Sequence, residues 1–334
     1  MRPSQRDDST VCLIIVTANS AATLPRCLEA VATQSRLPDE VILIDNASSD
    51  GSADVAERLV ARLPALVGRV TVRRETHNLG FAAANNRGIS ETAAEFIALL
   101  NPDAFPAPRW IESLLAAARM HPEAAAFGSL QMMEGRPGIV DGCGDVYHVS
   151  GISWRSGHGR ALRPADLLER EIFSPCAAAA LYRRSAVVAA GMFDEDFFCY
   201  IEDVDLGFRL RLAGHTARHV PAAVVEHVGS ASSGSQRSRF AVYHGHRNIV
   251  WCFLKNMPQP LFAGLLIPHF AQSIVSWIVT FWRGQGLVFL SAKRDALGQF
   301  RAVMQKRREV QRPPLRQVSW WRIWQALDAG WWRS

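Results

Sequence analysis

The sequence predicts an α/β fold in which a mostly parallel sheet is flanked by helices, with a helical extension at the C-terminal end. Short β-branched apolar runs alternate with stretches whose apolar residues recur at helical spacing, as in parallel strands covered on both faces. Polar clusters directly follow several of these runs, and ligands of such sheets bind at the carboxyl ends of the strands. Beyond Pro258 the chain changes to long apolar stretches interrupted by basic residues and tryptophan.

The predicted elements follow one another in a regular order. Over the first hundred residues, strand and helix patterns alternate along 11–16, 24–33, 41–44, 53–63, 70–72, 82–91 and 96–100. The glycine-rich stretch 128–159 is typical of loops and edge strands, and an alanine-rich run precedes a helix over 184–190. A further helix over 202–213 ends at Gly214, a typical C-cap residue, and a last β-like run covers 222–225.

Composition places the chain among folded proteins. It has 334 residues, of which 49% are hydrophobic, so disordered, collagen-like, coiled-coil and disulfide-scaffold classes are excluded. Its six cysteines are scattered without a C-x-x-C pair, which predicts reduced thiols and a cytosolic setting. The apolar run 11–16 is too short for the hydrophobic region of a signal peptide, so we expect the catalytic part to stay in the cytosol.

The net charge of +6 is unevenly distributed along the chain. Residues 283–334 hold 11 Lys and Arg against 3 Asp and Glu, a balance of +8 that leaves about −2 for residues 1–282. Seven of the ten tryptophans also lie beyond residue 270. One end of the protein is therefore basic and rich in tryptophan, and the rest is slightly acidic.

An anionic membrane surface is the partner that this basic end predicts. The segment 260–282 has the length of a membrane span, but a single span would put the catalytic part and the basic tail on opposite sides. Two interfacial or re-entrant helices, 258–282 and 284–304, keep both in the cytosol. The alternative is a soluble helical subdomain that covers the sheet or forms a homo-oligomer. No nucleic-acid partner is expected, because the basic residues lie among large apolar ones.

The ends of the first two strands carry side chains suited to a nucleotide. Asp45, with Asn46 beside it, ends the second strand, where a carboxylate accepts from a ribose hydroxyl or a base N–H. Thr17 and Asn19 leave the first strand in the same way, and turn or cap roles are the alternative for each of these residues. No glycine-rich dinucleotide fingerprint or P-loop is present, so we expect Asp and Asn side chains to hold the nucleotide.

The segment 78–88 adds a denser group of such residues, which includes Asn78, Gly80, Phe81 and Asn85. Gly80 allows close backbone approach, and the helix that follows it presents its amino end to whatever ligand lies there. Asn85 is costly inside a helix unless its side chain binds something.

A metal site is indicated at the tip of the fourth strand. In Asn101-Pro102-Asp103 the proline keeps the preceding residue extended, so the Asp103 carboxylate projects from the strand end. Mg²⁺ and Mn²⁺ prefer one or two carboxylates together with diphosphate oxygens. His227 ends another β-like run and becomes a third ligand only if the fold brings it near Asp103. Structural roles are the alternative for both residues.

Three carboxylates in four residues, Glu202, Asp203 and Asp205, begin the helix over 202–213. They repel one another, and the helix dipole relieves this repulsion only in part. The functional interpretation is a general base held near a cation and a sugar, and the plain alternative is a charged, capped first turn. Arg209 on the same helix pairs with an acidic neighbour or contacts a diphosphate.

Taken in order, these motifs resemble those of the inverting family 2 glycosyltransferases, which have the Rossmann-like GT-A fold, and in particular the bacterial rhamnosyltransferase-like branch. The resemblance runs from Val11 to about Asn248, roughly 70% of the chain. Its elements are Thr17-x-Asn19, Asp45-Asn46-x-Ser48-x-Asp50-Gly51, Asn78-x-Gly80-Phe81-x-x-x-Asn85, Asn101-Pro102-Asp103, Glu202-Asp203-x-Asp205 with Arg209, and His227.

The resemblance implies a role for each of these groups. Asp103 corresponds to a ligand of the Mg²⁺ or Mn²⁺ that bridges the diphosphate, His227 completes the metal shell in some members, and Asp203 corresponds to the catalytic base. Contacts to acceptor or diphosphate are expected of Glu202, Asp205 and Arg209. Contacts to the nucleotide-sugar are expected of Thr17, Asn19, Asp45, Asn46, Asn78, Gly80, Phe81, Asn85, Asn101 and Asp103. Many members carry Asp where this chain has Asn101.

The predicted organisation is a catalytic domain over 1–250 and a helical extension over 251–334. The predicted reaction moves a sugar, rhamnose among the candidates, from a dTDP-, UDP- or GDP-sugar to a glycan or a polyprenyl-diphosphate-linked acceptor in cell-surface polysaccharide synthesis. We expect the enzyme to lie peripherally on the inner face of the cell membrane. The alternatives are a non-catalytic partner that binds nucleotide-sugar or membrane, and a sugar-nucleotide pyrophosphorylase. The latter would need a glycine-rich basic loop after the first strand, where this chain has Thr-Ala-Asn-Ser.

Overall fold

The computed structural model describes residues 9–229 and 238–330. Its strands are β1 (Val11–Thr17), β2 (Glu40–Asp45), β3 (Val70–Arg74), β4 (Phe96–Leu100), β5 (Ala104–Pro106), β6 (Ala124–Met133), β7 (Val140–Gly142), β8 (Asp145–Tyr147), β9 (Ser153–Arg155), β10 (Arg170–Ile172), β11 (Ala179–Arg183) and β12 (Thr216–His227). Its α-helices are α1 (Leu24–Ala32), α2 (Ser52–Val60), α3 (Gly80–Glu91), α4 (Trp110–Met120), α5 (Arg184–Ala189), α6 (Glu202–Leu212), α7 (Arg239–Asn256), α8 (Leu261–Trp282), α9 (Gly286–Gly298), α10 (Phe300–Val310) and α11 (Trp320–Ala326).

The main sheet runs in the order β10-β12-β6-β11-β4-β1-β2-β3 through the described residues. Strands β4, β1, β2 and β3 are parallel neighbours, and so are β12 and β6. The prediction of a parallel-dominated sheet between helices is confirmed. Strand β11 lies between the two parallel groups and is antiparallel to both. It is formed by part of the alanine-rich run, whose small side chains are buried.

Apolar layers cover both faces of this sheet. Leu13 of β1 joins Leu28 of α1 in the core on one face, and Ile14 joins Ala82 of α3 and Leu206 of α6 on the other. Successive side chains of a strand point to opposite faces, so a strand covered on both sides is apolar throughout. This is why the strand signals in the sequence are continuous apolar runs.

Strand β12 spans Thr216–His227 and is therefore much longer than the predicted run 222–225. It pairs in parallel with β6, with a shift of register between Val220 and Val224. Beyond this irregularity, which bends and twists the strand, β12 also pairs with β5, and His227 lies opposite Ala104. The end of β12 thereby reaches the residue that directly follows Asp103.

The C-terminal helices pack against α6 and share an apolar core with it. Phe208 of α6 belongs to the same apolar cluster as Trp251 and Phe253 of α7 and Val303 of α10. Helix α7 is continuous from Arg239 to Asn256, so the boundary predicted at 250/251 lies inside a helix. The helix predicted over 284–304 is two helices, α9 and α10, which meet at Gln299.

Helix α8 is the only helix of the described residues that is long and apolar enough to cross a membrane. It spans 22 residues and contains Pro268. Only 11% of its most apolar window is buried against the rest of the protein. Its buried side includes His269, whose ring stacks on Phe253 with the ring centroids 4.2 Å apart.

Candidate active site

A cleft of about 740 Å³ opens at the carboxyl ends of β1, β2 and β4. Nine of the predicted site residues line this cleft: Asn46, Asn78, Gly80, Phe81, Asn101, Asp103, Glu202, Asp203 and His227. Six others do not line it: Thr17, Asn19, Asp45, Asn85, Asp205 and Arg209. The cleft lies where ligands of α/β sheets bind, as the order of the motifs predicts.

The fold brings His227 next to Asp103, as a shared metal site requires. His227 Nε2 lies 3.4 Å from Asp103 Oδ1, and both side chains are buried. On its other side, His227 Nδ1 lies 2.7 Å from Asp141 Oδ2. A carboxylate that accepts from one ring nitrogen leaves the other nitrogen free to bind a cation, the usual arrangement of a metal-binding histidine.

The Asp103–His227 pair suits a divalent cation that takes most of its ligands from the bound substrate. Among the described residues, no group of three or more His, Cys, Asp or Glu side chains forms a metal cage. His227 Nε2 is a buried atom with no hydrogen-bond partner in that part of the chain, and a cation satisfies such an atom. Burial opposes protonation of His227, but Asp103 and Asp141 outweigh it and raise its pKa, so a cation at Nε2 competes with a proton.

Asp141 was not predicted from the sequence, although it is the centre of a charged cluster. Arg155 Nη1 contacts its carboxylate, and His158 Nδ1 lies 3.2 Å from Oδ1. Burial alone would raise the pKa of Asp141, but the hydrogen bonds from His158 and His227 and the charge of Arg155 hold it well below its ordinary value. Asp141 and Arg155 lie on the short strands β7 and β9, which have no periodic apolar pattern to mark them.

The predicted base, Asp203, lies on the cleft wall in the first turn of α6. Its Oδ2 accepts from the backbone N–H of Ala177 at 3.1 Å, and its Oδ1 accepts from that of Val204 at 2.8 Å. Burial raises the pKa of Asp203, and these two donors together with the charge of Arg155 offset only part of that effect. The carboxylate is therefore held in a fixed orientation and is more basic than an exposed aspartate.

Two more buried carboxylates accompany Asp203. Glu202 lines the cleft, and its Oε2 has no hydrogen-bond partner in the described chain. Asp145, which was not predicted, also lines the cleft and accepts from the hydroxyl of Ser174 at 3.3 Å. Burial and the charge of Asp203 raise the pKa of both side chains well above their ordinary values. The group therefore titrates as a coupled set.

Asp205 and Arg209 lie outside the cleft lining, where the expected contacts to acceptor or diphosphate would be made. Asp205 is fully buried, and Arg209 Nε donates to it at 2.9 Å across one turn of α6. Asp205 Oδ1 also lies 2.7 Å from both Lys255 Nζ and Asn256 Nδ2 of α7. These two residues point away from the cleft because α7 packs on that side of α6, so they join the two helices.

The strand ends at Thr17 and Asp45 carry polar atoms without partners. These residues lie opposite each other in the β1–β2 register, and both are buried. Within the described residues, Thr17 Oγ1 and Asp45 Oδ1 make no hydrogen bond, although Asp45 Oδ2 accepts from the backbone of Ser48 at 3.4 Å. Buried polar groups are nearly always hydrogen-bonded, so a ligand that donates hydrogen bonds here would satisfy these two oxygen atoms.

Asn46 and Asn19 act through the loops around the cleft. Asn46 Nδ2 donates to Asn78 Oδ1 at 2.9 Å, and Asn46 Oδ1 accepts from the backbone N–H of Leu79 at 2.8 Å. Asn19 Oδ1 accepts from the backbone N–H of Ser49 at 2.8 Å. Asn46 therefore holds the 78–80 turn in place, and Asn19 holds the loop after β2.

The amino end of α3 is already occupied, contrary to the expectation of an open helix end. The carbonyl of Phe198 accepts from the backbone N–H groups of Phe81 and Ala82, at 2.6 and 3.2 Å. Gly80 has a φ of +82°, and a Cβ there would lie 2.6 Å from the same carbonyl oxygen. The glycine is thus required by close packing against Phe198, while Gly80 and Phe81 still line the cleft.

Asn85 does not reach the cleft, which corrects its predicted role. Its side chain is buried and donates to the carbonyl of Phe81, one turn back in the same helix, at 2.8 Å. Its neighbour Asn86 donates to the carbonyl of Phe193 and to Glu195, both at 2.9 Å. The two amides inside α3 are satisfied by protein partners, so their cost in the helix is offset without a ligand.

Asn248 supports the loop that leads into Asp203, although no motif in the sequence marks it for that role. Its buried Nδ2 donates to the carbonyls of Phe197, Cys199 and Tyr200 at 2.9, 3.0 and 2.7 Å. In this loop Phe198, Tyr200 and Ile201 all have left-handed backbone, with φ from +63° to +69°. Such strain persists only where the surroundings hold it, and it is common near active sites.

Comparisons with known proteins agree with this geometry. The family model described as glycosyl transferase family 2 matches residues 12–189, and the related model for glycosyl transferase family group 2 matches residues 111–308. An N-acetylglucosaminyl-diphospho-decaprenol L-rhamnosyltransferase of Mycobacterium tuberculosis is 32% identical over 256 residues, which cover 70% of this chain and 80% of the relative. A pre-mycofactocin glycosyltransferase of the same species is 30% identical over 247 residues, covering 73% of this chain and 47% of the relative.

Solved structures show the same fold. A mannosyltransferase from Pyrobaculum calidifontis in complex with GDP-Man and Mn²⁺ has a TM-score of 0.55 at 17% identity, over 91% of this chain and 81% of that one. GalNAc-T7 with UDP, GalNAc and Mn²⁺ has a TM-score of 0.58 at 18% identity, over 74% of this chain and 48% of that one. The chain belongs to glycosyltransferase family 2 and is a glycosyltransferase with the GT-A fold.

Proposed function

We propose that this protein is an inverting, divalent-metal-dependent glycosyltransferase that moves rhamnose from a nucleoside diphosphate to a polyprenyl-diphosphate-linked acceptor. The observation that carries the proposal is that one cleft is lined both by the Asp103–His227 pair and by the Asp203 carboxylate. The Asp103–His227 pair suits a diphosphate with its cation, and the Asp203 carboxylate suits an attacking hydroxyl. Because both line the same cleft, we expect a nucleotide-sugar to lie between them.

The nucleoside belongs at the ends of β1 and β2. Thr17 and Asp45 end these strands without lining the cleft, and Thr17 Oγ1 and Asp45 Oδ1 make no hydrogen bond within the described residues. Asn46 and Asn78 line the cleft next to these strand ends. They hold the turn that closes this side of the site.

Asp203 acts on the acceptor. It takes the proton from the attacking hydroxyl while the new oxygen–carbon bond forms and the bond from that carbon to the diphosphate oxygen breaks. Attack from the side opposite the leaving group inverts the anomeric carbon. Burial raises the pKa of Asp203, which makes it a stronger base. The backbone N–H groups of Ala177 and Val204 donate to the carboxylate and fix its orientation.

The leaving diphosphate belongs beside Asp103 and His227. Asp103 and His227 Nε2 are the residues that would hold Mg²⁺ or Mn²⁺, and Asp141 orients the imidazole for that purpose. Such a cation, when bound, neutralises the negative charge that develops on the departing diphosphate. With a neutral side chain at Asn101, the diphosphate oxygens supply the remaining ligands.

The choice of rhamnose and of a lipid-linked acceptor is supported by the relative from Mycobacterium tuberculosis. The name of that enzyme includes both rhamnose and a decaprenol-linked acceptor, and the match covers 80% of that enzyme's length. The acceptor class also accords with the exposed apolar surface of α8 and α9. Among its most exposed side chains are Ile267 at 79%, Trp282 at 81% and Leu287 at 82%.

We assign this surface to the headgroup region on the inner face of the cell membrane. Large apolar side chains and tryptophan flanked by basic residues are typical of helices that lie in the membrane interface. Trp282 is followed directly by Arg283 in the turn between α8 and α9. The buried side of α8 is held by the catalytic domain, since His269 Nδ1 lies 2.8 Å from the carbonyl oxygen of Ser150.

The test is transfer by the purified full chain in the presence of Mn²⁺. dTDP-L-rhamnose, UDP-sugars and GDP-sugars are first compared by thermal stabilisation, because a ligand that binds only the folded state raises Tm. Transfer to a synthetic short-chain polyprenyl-diphospho-N-acetylglucosamine is then followed by mass spectrometry, and the anomeric configuration by NMR. We expect dTDP-L-rhamnose to stabilise the protein and an inverted product to form. Absence of product with every donor would refute the proposal.

A further inference from the structure

One wall of the cleft is aromatic and is used by neither the nucleotide end nor the Asp103–His227 pair. Tyr200 and Phe240 both line the cleft, as does Asp203. Their ring centroids are 6.1 Å apart, and the ring of His244 lies 4.4 Å from that of Phe240. Phe240 keeps 39% of its surface exposed, so a large apolar ring borders a polar cleft.

The aromatic wall is held rigidly from behind. Tyr200 has a left-handed backbone with a φ of +69°, and Asn248 Nδ2 donates to its carbonyl at 2.7 Å. Phe198, also left-handed, stacks on His244 with the ring centroids 5.4 Å apart. A conformation with this much backbone strain indicates that the position of the rings is needed, since a relaxed loop would be more stable.

The same wall leaves open space in front of α7. Ala241 and Gly245, one turn apart, line the cleft beside the rings. A Cβ built on Gly245 meets nothing within 4 Å, so no neighbouring atom in the described residues requires a glycine there. Burial lowers the pKa of His244 to about 4, so its ring is uncharged at neutral pH, and its Nδ1 is buried without a hydrogen-bond partner in the described chain.

We propose that Tyr200 and Phe240, with His244 packed against the Phe240 ring, form the binding subsite for the terminal sugar of the acceptor. A pyranose ring has an apolar face of C–H groups, and aromatic rings pack against such a face. Asp203 lines the same cleft, so a sugar stacked on this wall presents a hydroxyl to the base. The inference rests on the proposed function and names the acceptor end of that site.

Two substitutions test this subsite without touching the donor end. Gly245→Leu fills the open space in front of α7, and Phe240→Ala removes the exposed ring, while Phe240→Tyr keeps it. Ala302→Leu is the control, because Ala302 is an exposed residue of helix α10 and lies outside the cleft lining. Thermal unfolding of each variant verifies that it is folded.

The readouts are acceptor KM, donor affinity and direct sugar binding. For transfer to the short-chain lipid-linked acceptor, we expect Gly245→Leu to lower kcat/KM about 100-fold and Phe240→Ala to raise acceptor KM about 10-fold. Phe240→Tyr, which keeps the ring, should raise acceptor KM less than Phe240→Ala does. Ala302→Leu should stay within about threefold of the wild type, and the donor Kd should be unchanged throughout. Unchanged acceptor KM in both Gly245→Leu and Phe240→Ala would overturn the subsite.

Sugar binding separates this inference from the proposed function. Saturation-transfer NMR with methyl N-acetylglucosaminide as the probe, irradiating aromatic protons, requires no catalysis. We expect a signal with the wild type and its loss in Gly245→Leu. If the wild type binds the probe in this way but transfers no sugar, the subsite stands and the proposed function fails. A signal that is absent in the wild type, or equal in both proteins, would overturn the subsite.

Discussion

His227 is held between two carboxylates, with Nδ1 2.7 Å from Asp141 Oδ2 and Nε2 3.4 Å from Asp103 Oδ1. Asp141 itself is fixed by Arg155 and His158 and orients the imidazole. In the proposed metal site, Asp141 would accept the hydrogen bond from Nδ1 and leave Nε2 for the cation. Asp141 would then control cation binding without touching the cation.

Replacing Asp141 should therefore weaken metal binding. We expect Asp141→Asn to lower the affinity for Mn²⁺ in the presence of a nucleoside diphosphate by about 10- to 100-fold, because the uncharged amide no longer fixes the tautomer of His227. The measurement is an EPR titration of free Mn²⁺. Asp54→Asn, which changes an exposed carboxylate paired with Arg74, is the control. Equal Mn²⁺ affinities in all three proteins would contradict the assignment.

Replacing the proposed base, Asp203, should abolish sugar transfer and leave donor binding intact. Asp203→Asn keeps the shape of the side chain but removes its capacity to take a proton, so we expect kcat to fall by about 10²- to 10⁴-fold. The Kd of the donor, measured by calorimetry with Mn²⁺, should change by less than about threefold. Transfer at the wild-type rate would show that Asp203 is not the base.

The pH dependence of catalysis should report the buried carboxylates. Asp203 must be ionised to act, and burial raises its pKa, so kcat/KM should fall on acidification at a higher pH than the ordinary aspartate pKa of 3.8 predicts. The profile is measured on the folded wild type with saturating Mn²⁺. An acidic limb at or below the ordinary aspartate pKa of 3.8 would contradict the prediction.

Lys255 should matter for stability, because it is buried between two carboxylates. Its Nζ lies 2.6 Å from Asp194 Oδ2 and 2.7 Å from Asp205 Oδ1. Lys255→Met leaves both carboxylates without this buried cation, so we expect a loss of about 3 kcal/mol in the free energy of unfolding. Lys306→Met, at a partly exposed partner of Asp194, should cost less than about 1 kcal/mol. Denaturant titration measures both, and equal losses would contradict the reasoning.

The apolar surface of α8 and α9 should bind membranes. Trp282→Glu and Leu287→Glu each place a charge on a side chain more than 80% exposed, so the fold should be unaffected. We expect each to weaken binding to vesicles of phosphatidylglycerol and phosphatidylcholine by at least about 10-fold, measured by flotation. Leu168→Glu, at a side chain 64% exposed outside these helices, is the control. Unchanged binding in both would contradict the membrane assignment.

Much of the catalytic sheet could be predicted because its signals are local. Strand β4 has the predicted bounds, and α3 and α6 begin within two residues of the predicted starts. The polar residues after β2 and β4 were expected near one another because parallel strands end at the same edge of a sheet. A metal role for His227 was expected only if the fold brought it near Asp103, and its Nε2 lies 3.4 Å from Asp103 Oδ1.

The stretch 125–185 could not be interpreted in the same way. Its strands β7, β8 and β9 are three residues each, too short for a periodic pattern. They bring Asp145 and Arg155 into the cleft lining and Asp141 beside His227. The importance of these residues arises from contacts with partners as distant in sequence as His227. A local pattern contains no information about such partners.

The sequence by itself determined the α/β fold, the family and many of the polar side chains that line the cleft, because these depend on strand order and on the residues directly after each strand. Only the tertiary structure decided which acidic and basic residues face the cleft. Asp205 and Arg209 belong to the same helix as Asp203, yet they form a buried ion pair, and Asp205 also contacts Lys255 and Asn256 of α7. The uneven charge along the chain likewise acquired its meaning from packing, since the basic end is folded against α6 while one apolar face of its helices stays uncovered.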